Sequence, residues 1–150
     1  QLGVLPSMQT SHAPFSVAEG DVWPTRVGEQ RWPLSFAWRD IKNAGNNIAF
    51  GSDWPVAPYD PMINLHVGMN REKWNPNDPD QTLSLEEVII GYTRDAAYAE
   101  FKENEKGQLR EGYLADMVLF SHDLFSLKKE DILTAKPVMT IVDGKVVFEA

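Results

Sequence analysis

The chain has 150 residues, 43% of them hydrophobic, with ten Gly, ten Pro and no Cys, so it has room for one domain with a real core or for two small pieces of a larger one, and disulfides and thiolate metal sites are excluded. Fourteen basic against 22 acidic residues leave a net charge of −8, which argues against nucleic acid or an anionic membrane as partner, because phosphate binding needs clustered Lys and Arg. No apolar run approaches the ~18 residues of a membrane span, and the N-terminus lacks the basic and apolar regions of a signal peptide; a soluble, cytoplasmic protein is the expectation, and the initial Gln is what a processed or excised segment would show.

Residues 3–9 form a short apolar run that predicts a buried strand leading into the polar loop Thr10-Ser11-His12. Residues 13–20 have loop composition, with Pro14 and Gly20 as breakers. The next stretch is rich in Trp: Trp23, Trp32 and Trp38 are expected as packing residues, with Arg39 stacked on one of them. Pro33 suits the first turn of a helix running to about Ala44, which Gly45 would end.

Ile48-Ala49-Phe50 predicts a second buried strand, and Gly51-Ser52-Asp53-Trp54-Pro55 a loop at its C-terminal end. That end of a parallel sheet is where α/β proteins keep their chemistry. A carboxylate there suits metal ligation or proton transfer from an activated water; the same Asp also suits the capping of an ordinary turn. Both readings of Asp53 stand on the local sequence. Trp54 and Tyr59 flank it, as pocket-lining or packing residues.

Asp60-Pro61 predicts a helix start reaching Asn70, and residues 74–81 a polar loop. Ser84-Leu85-Glu86-Glu87 matches a capping box, followed by helically spaced Leu85, Val88, Ile89 and Tyr92. Thr93 is expected to cap a further helix carrying Ala96, Ala97 and Phe101, with residues 100–105 as a solvated end. Beyond Gly107 the period changes: residues 117–120 predict a buried strand. Asp143-Gly144 between two β-branched runs then demands a tight type I′ hairpin. These periods predict an α/β part over residues 1–106 and a small antiparallel β part over 107–150.

Two segments together resemble the metal-dependent amidohydrolase superfamily, in particular its YtcJ-like subgroup. One is Phe50-Gly51-Ser52-Asp53-Trp54-Pro55-Val56. The other runs from Lys106-Gly107 through Gly112 and Leu114-Ala115-Asp116 to the apolar strand, ending in the Val142-Asp143-Gly144-Lys145 hairpin. Residues 4–12 are similar to the end of barrel strand seven in that subgroup, with Thr10 where the subgroup carries Pro. The resemblance covers nearly the whole chain. It implies the C-terminal part of a (β/α)8 barrel, about strands seven and eight with their helices, followed by a β-sandwich piece.

By the same resemblance Asp53 is the strand-eight carboxylate that ligates a divalent metal, zinc being the usual ion, and takes the proton of the attacking water. His12 and Trp54 would face the substrate. The reaction implied is hydrolysis of an amide or cyclic amide C–N bond in a small molecule. The family's other ligands, a His-x-His pair and further strand-end histidines, have no counterpart: His12, His66 and His122 are the only histidines. His66 is expected as a surface or interhelix residue and His122 as turn chemistry. A catalytic zinc usually needs about three protein ligands, and a whole barrel takes roughly 250 residues.

The chain is therefore expected to be catalytically inert alone and to hold no metal by itself. Its unpaired strand edge is expected to favour a homo-oligomer. Two rival readings are a non-catalytic interaction or regulatory module derived from this fold, and an enzyme completed in trans by another chain.

Overall fold

A computed structural model describes residues 3–13 and 22–150; the loop expected over residues 13–20 lies almost wholly outside them. At its centre β1 (Ser7–Met8) pairs in parallel with β2 (Ala49–Phe50), Ser7 opposite Ala49 and Met8 opposite Phe50. The Ala49 N–H donates to Pro6 O at 3.0 Å and the Gly51 N–H to Met8 O at 3.1 Å, which extends the ladder by one bond at each end. Parallel neighbours need a crossover. Its described part contains α1 (Val22–Val27), a 3-10 turn (Glu29–Leu34) and α2 (Trp38–Asn43).

The single helix expected from Pro33 to Ala44 is in fact broken. Pro33 sits inside the 3-10 turn, Phe36 adopts a φ of +49°, and helical structure resumes only at Trp38. Arg71 supplies the reason: one guanidinium nitrogen donates to the Ser35 and Phe36 carbonyls at 3.1 and 3.0 Å. The same guanidinium lies 4.5 Å from the centre of the Trp74 ring and 5.5 Å from that of Trp38. Burial pushes its pKa down to about 10. The cation expected on the tryptophans was Arg39; that residue instead makes a two-pronged pair with Glu87, at 2.8 and 2.7 Å, and grips the Thr82 carbonyl.

After β2, α3 (Pro61–Asn70) begins as expected, with Pro61 in the first turn and the Asp60 carboxylate accepting from the Met62 N–H at 2.9 Å. α4 (Leu85–Tyr92) carries the full capping box, Glu87 N–H to Ser84 Oγ and Ser84 N–H to the Glu87 carboxylate. α5 (Arg94–Ala99) departs from expectation at both ends. Thr93 stands at the N-cap of α5 and its carbonyl accepts from the Ala97 N–H, but its hydroxyl donates back to Ile89 O at 2.7 Å and caps no N–H of α5, and Phe101, at φ +60°, lies outside the helix and exposed.

Trp38, Ile48, Phe50, Met62, Leu65, Met69, Leu83 and Val88 make one buried core, joined by Ile132 and Ala135 from the C-terminal segment. Each fully buried Ile, Leu or Val contributes about 1.5–3 kcal/mol. Ile132 reaches the core because a 3-10 turn (Lys129–Thr134) packs on α3.

The remaining sheet is antiparallel in the order β3 (Met117–Phe120), β4 (Pro137–Val142), β5 (Lys145–Glu149). Asp143 and Gly144 take φ values of +50° and +73°, the pair that a type I′ turn requires. β3 was expected to be buried, yet Met117, Val118 and Leu119 are exposed, as is all of β5. Among the described residues no second layer covers this sheet; only Phe120, at the end of β3, packs against the core.

Candidate functional site

Parallel pairing sends the chain out of β1 and β2 at the same edge. The turn after β1 (Thr10–His12) and the loop after β2 therefore lie side by side. Asp53 enters this loop with a φ of +57°, a conformation that Asp tolerates better than most residues. The result places His12 Nε2 3.7 Å from Asp53 Oδ2. That distance is beyond a direct hydrogen bond, and among the described residues the buried Nε2 atom has no hydrogen-bond partner. The Asp53 side chain is 54% exposed.

Two of the three residues expected at the site are thus brought together. Trp54 is not drawn in: it is 66% exposed, and its backbone N–H donates to Ser52 Oγ at 3.3 Å. His66, on α3, has its Nδ1 3.2 Å from Asn70 Nδ2. His122 is exposed, with Nδ1 2.9 Å from Ser121 Oγ, in keeping with turn chemistry.

Beneath the His12–Asp53 pair lies a polar cluster that the sequence reading passed over. The Thr10 hydroxyl donates to Asn64 O at 2.8 Å, and the Ser11 N–H donates to Asn64 Oδ1 at 3.3 Å. The Tyr92 hydroxyl lies 3.3 Å from Thr10 Oγ1 and 3.2 Å from Gly51 O. Thr10 and Asn64 are fully buried, and burial pushes the Tyr92 phenol up to about 12, so it remains a protonated donor at neutral pH. The available signal was weak. Tyr92 fits the apolar period of α4 as a ring, and Asn64 is the single amide inside an otherwise apolar stretch of α3.

A buried imidazole nitrogen with no hydrogen-bond partner among the described residues, beside a half-exposed carboxylate, is the donor chemistry a divalent cation takes. They fit as two members of such a set. Among the described residues no group of three or more His, Asp or Glu is arranged to hold an ion. A groove of about 200 Å³ lies elsewhere, between α3, α4 and the segment after β3, walled by Met69, Leu83, Leu124, Leu127 and Ile132. It contains none of His12, Asp53 or Trp54. Among the described residues no helix is long and apolar enough to cross a membrane.

The putative amidohydrolase YtcJ of Bacillus subtilis is 30% identical over 142 residues, which is 91% of this chain and 27% of that protein. An N-substituted formamide deformylase of Arthrobacter pascens is 26% identical over 87% of this chain and 24% of its own length. Among solved structures, an uncharacterized metal-dependent hydrolase from Pyrococcus furiosus superposes with a TM-score of 0.59 at 25% identity, over 73% of this chain and 22% of that one. The chain thus spans about a quarter of the length of these relatives. The model of the amidohydrolase family matches residues 1–148, and the chain belongs to that family.

Proposed function

We propose that this chain is the C-terminal portion of a metal-dependent amidohydrolase, contributing barrel strands seven and eight as β1 and β2 over residues 1–106 and a β-sandwich segment over residues 107–150. The activity proposed for the complete protein is hydrolysis of an amide or cyclic amide C–N bond in a small molecule. The observation that carries it is the convergence of His12 and Asp53 at one edge of a parallel strand pair, 3.7 Å apart.

In this reading Asp53 has two tasks. One carboxylate oxygen joins the donor set for the cation, and the other receives the proton given up by the attacking water. His12 faces the same space with an uncommitted nitrogen and orients the substrate or the departing amine. Trp54, on the outer side of the loop, offers an apolar wall to the substrate. A divalent metal, zinc being the usual choice, supplies Lewis-acid activation of water when bound. The YtcJ and deformylase similarities support C–N hydrolysis, and the metal-dependent Pyrococcus relative supports the cation.

The remaining cation donors would come from barrel strands outside these 150 residues, so the isolated chain is proposed to be inert. A cytoplasmic setting is part of the proposal. In the complete enzyme, Asp53→Asn is expected to lower kcat by about 10³-fold or more, the order seen when a key electrostatic group of an active site is lost. Turnover within tenfold of the parent would overturn the assignment. For the 150-residue chain, elemental analysis is expected to find well under one zinc ion per chain; a stoichiometric ion would overturn the incomplete-site reading.

The rival reading, a non-catalytic interaction module, predicts that Asp53→Asn changes nothing enzymatic in any context. The uncovered β3–β5 sheet is the feature that favours it.

A further inference from the structure

The β1–β2 ladder ends at the bond from Gly51 N–H to Met8 O. His12 and Asp53 lie beyond that last rung, on two separate loops, and the sheet itself does nothing to hold them at a common distance. The cluster beneath them takes over this task. The Thr10 hydroxyl has one proton, and its shortest contact, 2.8 Å, goes to Asn64 O. Its lone pairs are then left to accept. The single Tyr92 proton lies between Thr10 Oγ1 at 3.3 Å and Gly51 O at 3.2 Å, a three-centre arrangement that ties the first loop to the second.

Asn64 fixes the first loop from the other side. Its Oδ1 accepts from the Ser11 N–H at 3.3 Å, while its Nδ2 donates to Asp60 O at 3.1 Å, so neither end of the amide is free to rotate. Tyr92 is fixed in turn, because its ring packs tilted against that of Phe50 with centroids 5.6 Å apart and its backbone lies at the end of α4. The tied atoms sit one residue before His12, at Ser11, and two before Asp53, at Gly51.

We propose that Tyr92, Thr10 and Asn64 form a buried positioning clamp that continues the β1–β2 cross-link past the end of the sheet and sets the separation of His12 and Asp53. None of the three touches the reacting atoms; they act through the residues they hold. The proposal rests on the reading of His12 and Asp53 as members of the active site. Its physical core, the coupling of the two loops, is measurable without that reading.

The 150-residue chain tests the coupling directly. Diethyl pyrocarbonate modifies accessible imidazoles, and peptide mass spectrometry gives a separate rate for His12, His66 and His122. Tyr92→Phe removes only the bridging hydroxyl, and Thr10→Val keeps the shape of the side chain while losing its hydroxyl. Both are expected to raise the His12 rate about fivefold relative to His66 and His122, the gain in open population when one buried hydrogen bond is lost. Thr10→Ser restores the hydroxyl and is expected to stay within about twofold of the parent. A His12 rate unmoved by both hydroxyl losses, or a rise shared equally by all three histidines, overturns the clamp.

In the complete enzyme, Tyr92→Phe is expected to lower kcat about tenfold or more with KM little changed, as misplacement of reacting groups does. An unchanged kcat beside an inactive Asp53→Asn enzyme defeats the clamp and leaves the site assignment standing. An active Asp53→Asn enzyme defeats the site assignment and leaves the modification result to decide the clamp.

Discussion

The seating of α4 on β2 can be tested at Gly91. A Cβ built on this residue overlaps the Phe50 ring at Cδ2, comes within 2.8 Å of its Cε2 and lies 3.0 Å from the Ile48 carbonyl oxygen. Two effects compete in Gly91→Ala. Alanine is better than glycine inside a helix by ~1 kcal/mol, an upper limit here because Gly91 is the second-last residue of α4. Against this stands overpacking, which costs about 1–3 kcal/mol and more when backbone must move. The ring has little freedom to retreat: Phe50 is 5% exposed and lies edge-on to Trp38 and against Tyr92, at 6.4 and 5.6 Å. The Ile48 carbonyl belongs to the segment entering β2 and cannot swing like a side chain. The clash therefore wins, by about 1–3 kcal/mol net. Urea unfolding followed by far-ultraviolet circular dichroism reads this as a lowered midpoint with an unchanged slope. A variant as stable as the parent, or more so, would refute the close approach of α4 to β2.

The Arg39–Glu87 pair predicts a pH dependence. Hydrogen bonding from Arg39 holds the Glu87 carboxyl down at about 2, from an ordinary 4.5, so its stabilisation is complete above about 4.5 and is lost as pH falls towards 2. Glu87→Gln preserves the capping box in kind, is expected to cost about 1–3 kcal/mol at pH 7, and should approach the parent's stability only at and below about pH 2 in acid–urea titrations; a pH-independent difference would contradict this. Arg71→Met removes both carbonyl contacts and the cation from the tryptophan cluster, and is expected to destabilise by about 2–4 kcal/mol; a change below about 0.5 kcal/mol, the usual scale of inert surface substitutions, would show the cage to be ornamental. The isolated chain is also expected to sediment as a homo-oligomer, since Val118, Leu119, Val146, Val147 and Phe148 are exposed on one small sheet; a clean monomer at tens of micromolar would count against it.

Local chemistry was legible wherever it is decided locally. The capping box at Ser84, the proline in the first turn of α3 and the Asp143-Gly144 turn depend on neighbours within a few residues, and each stands where the sequence places it. Most of the misreadings involve a partner far along the chain. Residues 33–44 have the composition of one helix, but Arg71, 35 and 36 residues away, takes the carbonyls of Phe36 and Ser35 and breaks it. Arg39 had a tryptophan beside it in sequence and found Glu87 in space. Thr93 holds the N-cap position of α5 as expected, but its hydroxyl reaches back to α4. The Thr10–Asn64–Tyr92 cluster joins residues 54 and 82 positions apart, which no local period encodes. Asp53 stood out in the sequence because a strand, a turn and a carboxylate coincide within six residues.

The exposure of Asp53 and that of the β3–β5 sheet have a common physical reading. On the proposal above, both are faces that the rest of a protein about four times this length would cover, as the relatives' lengths suggest, and the covering changes what the His12–Asp53 pair is worth. Whenever the imidazole carries a proton, two unit charges 3.7 Å apart attract by about 1 kcal/mol in bulk water and by about 4 kcal/mol at the effective dielectric near a protein surface. The chain fixes the distance in this expression; the missing walls would fix the dielectric. A fragment that holds the geometry while its carboxylate faces solvent has the arrangement of an active site without its electrostatic strength. Restoring the upstream strands should therefore strengthen the coupling between His12 and Asp53 without moving them, and a double-mutant cycle on the pair, run in the chain and in the complete protein, would separate the two contributions.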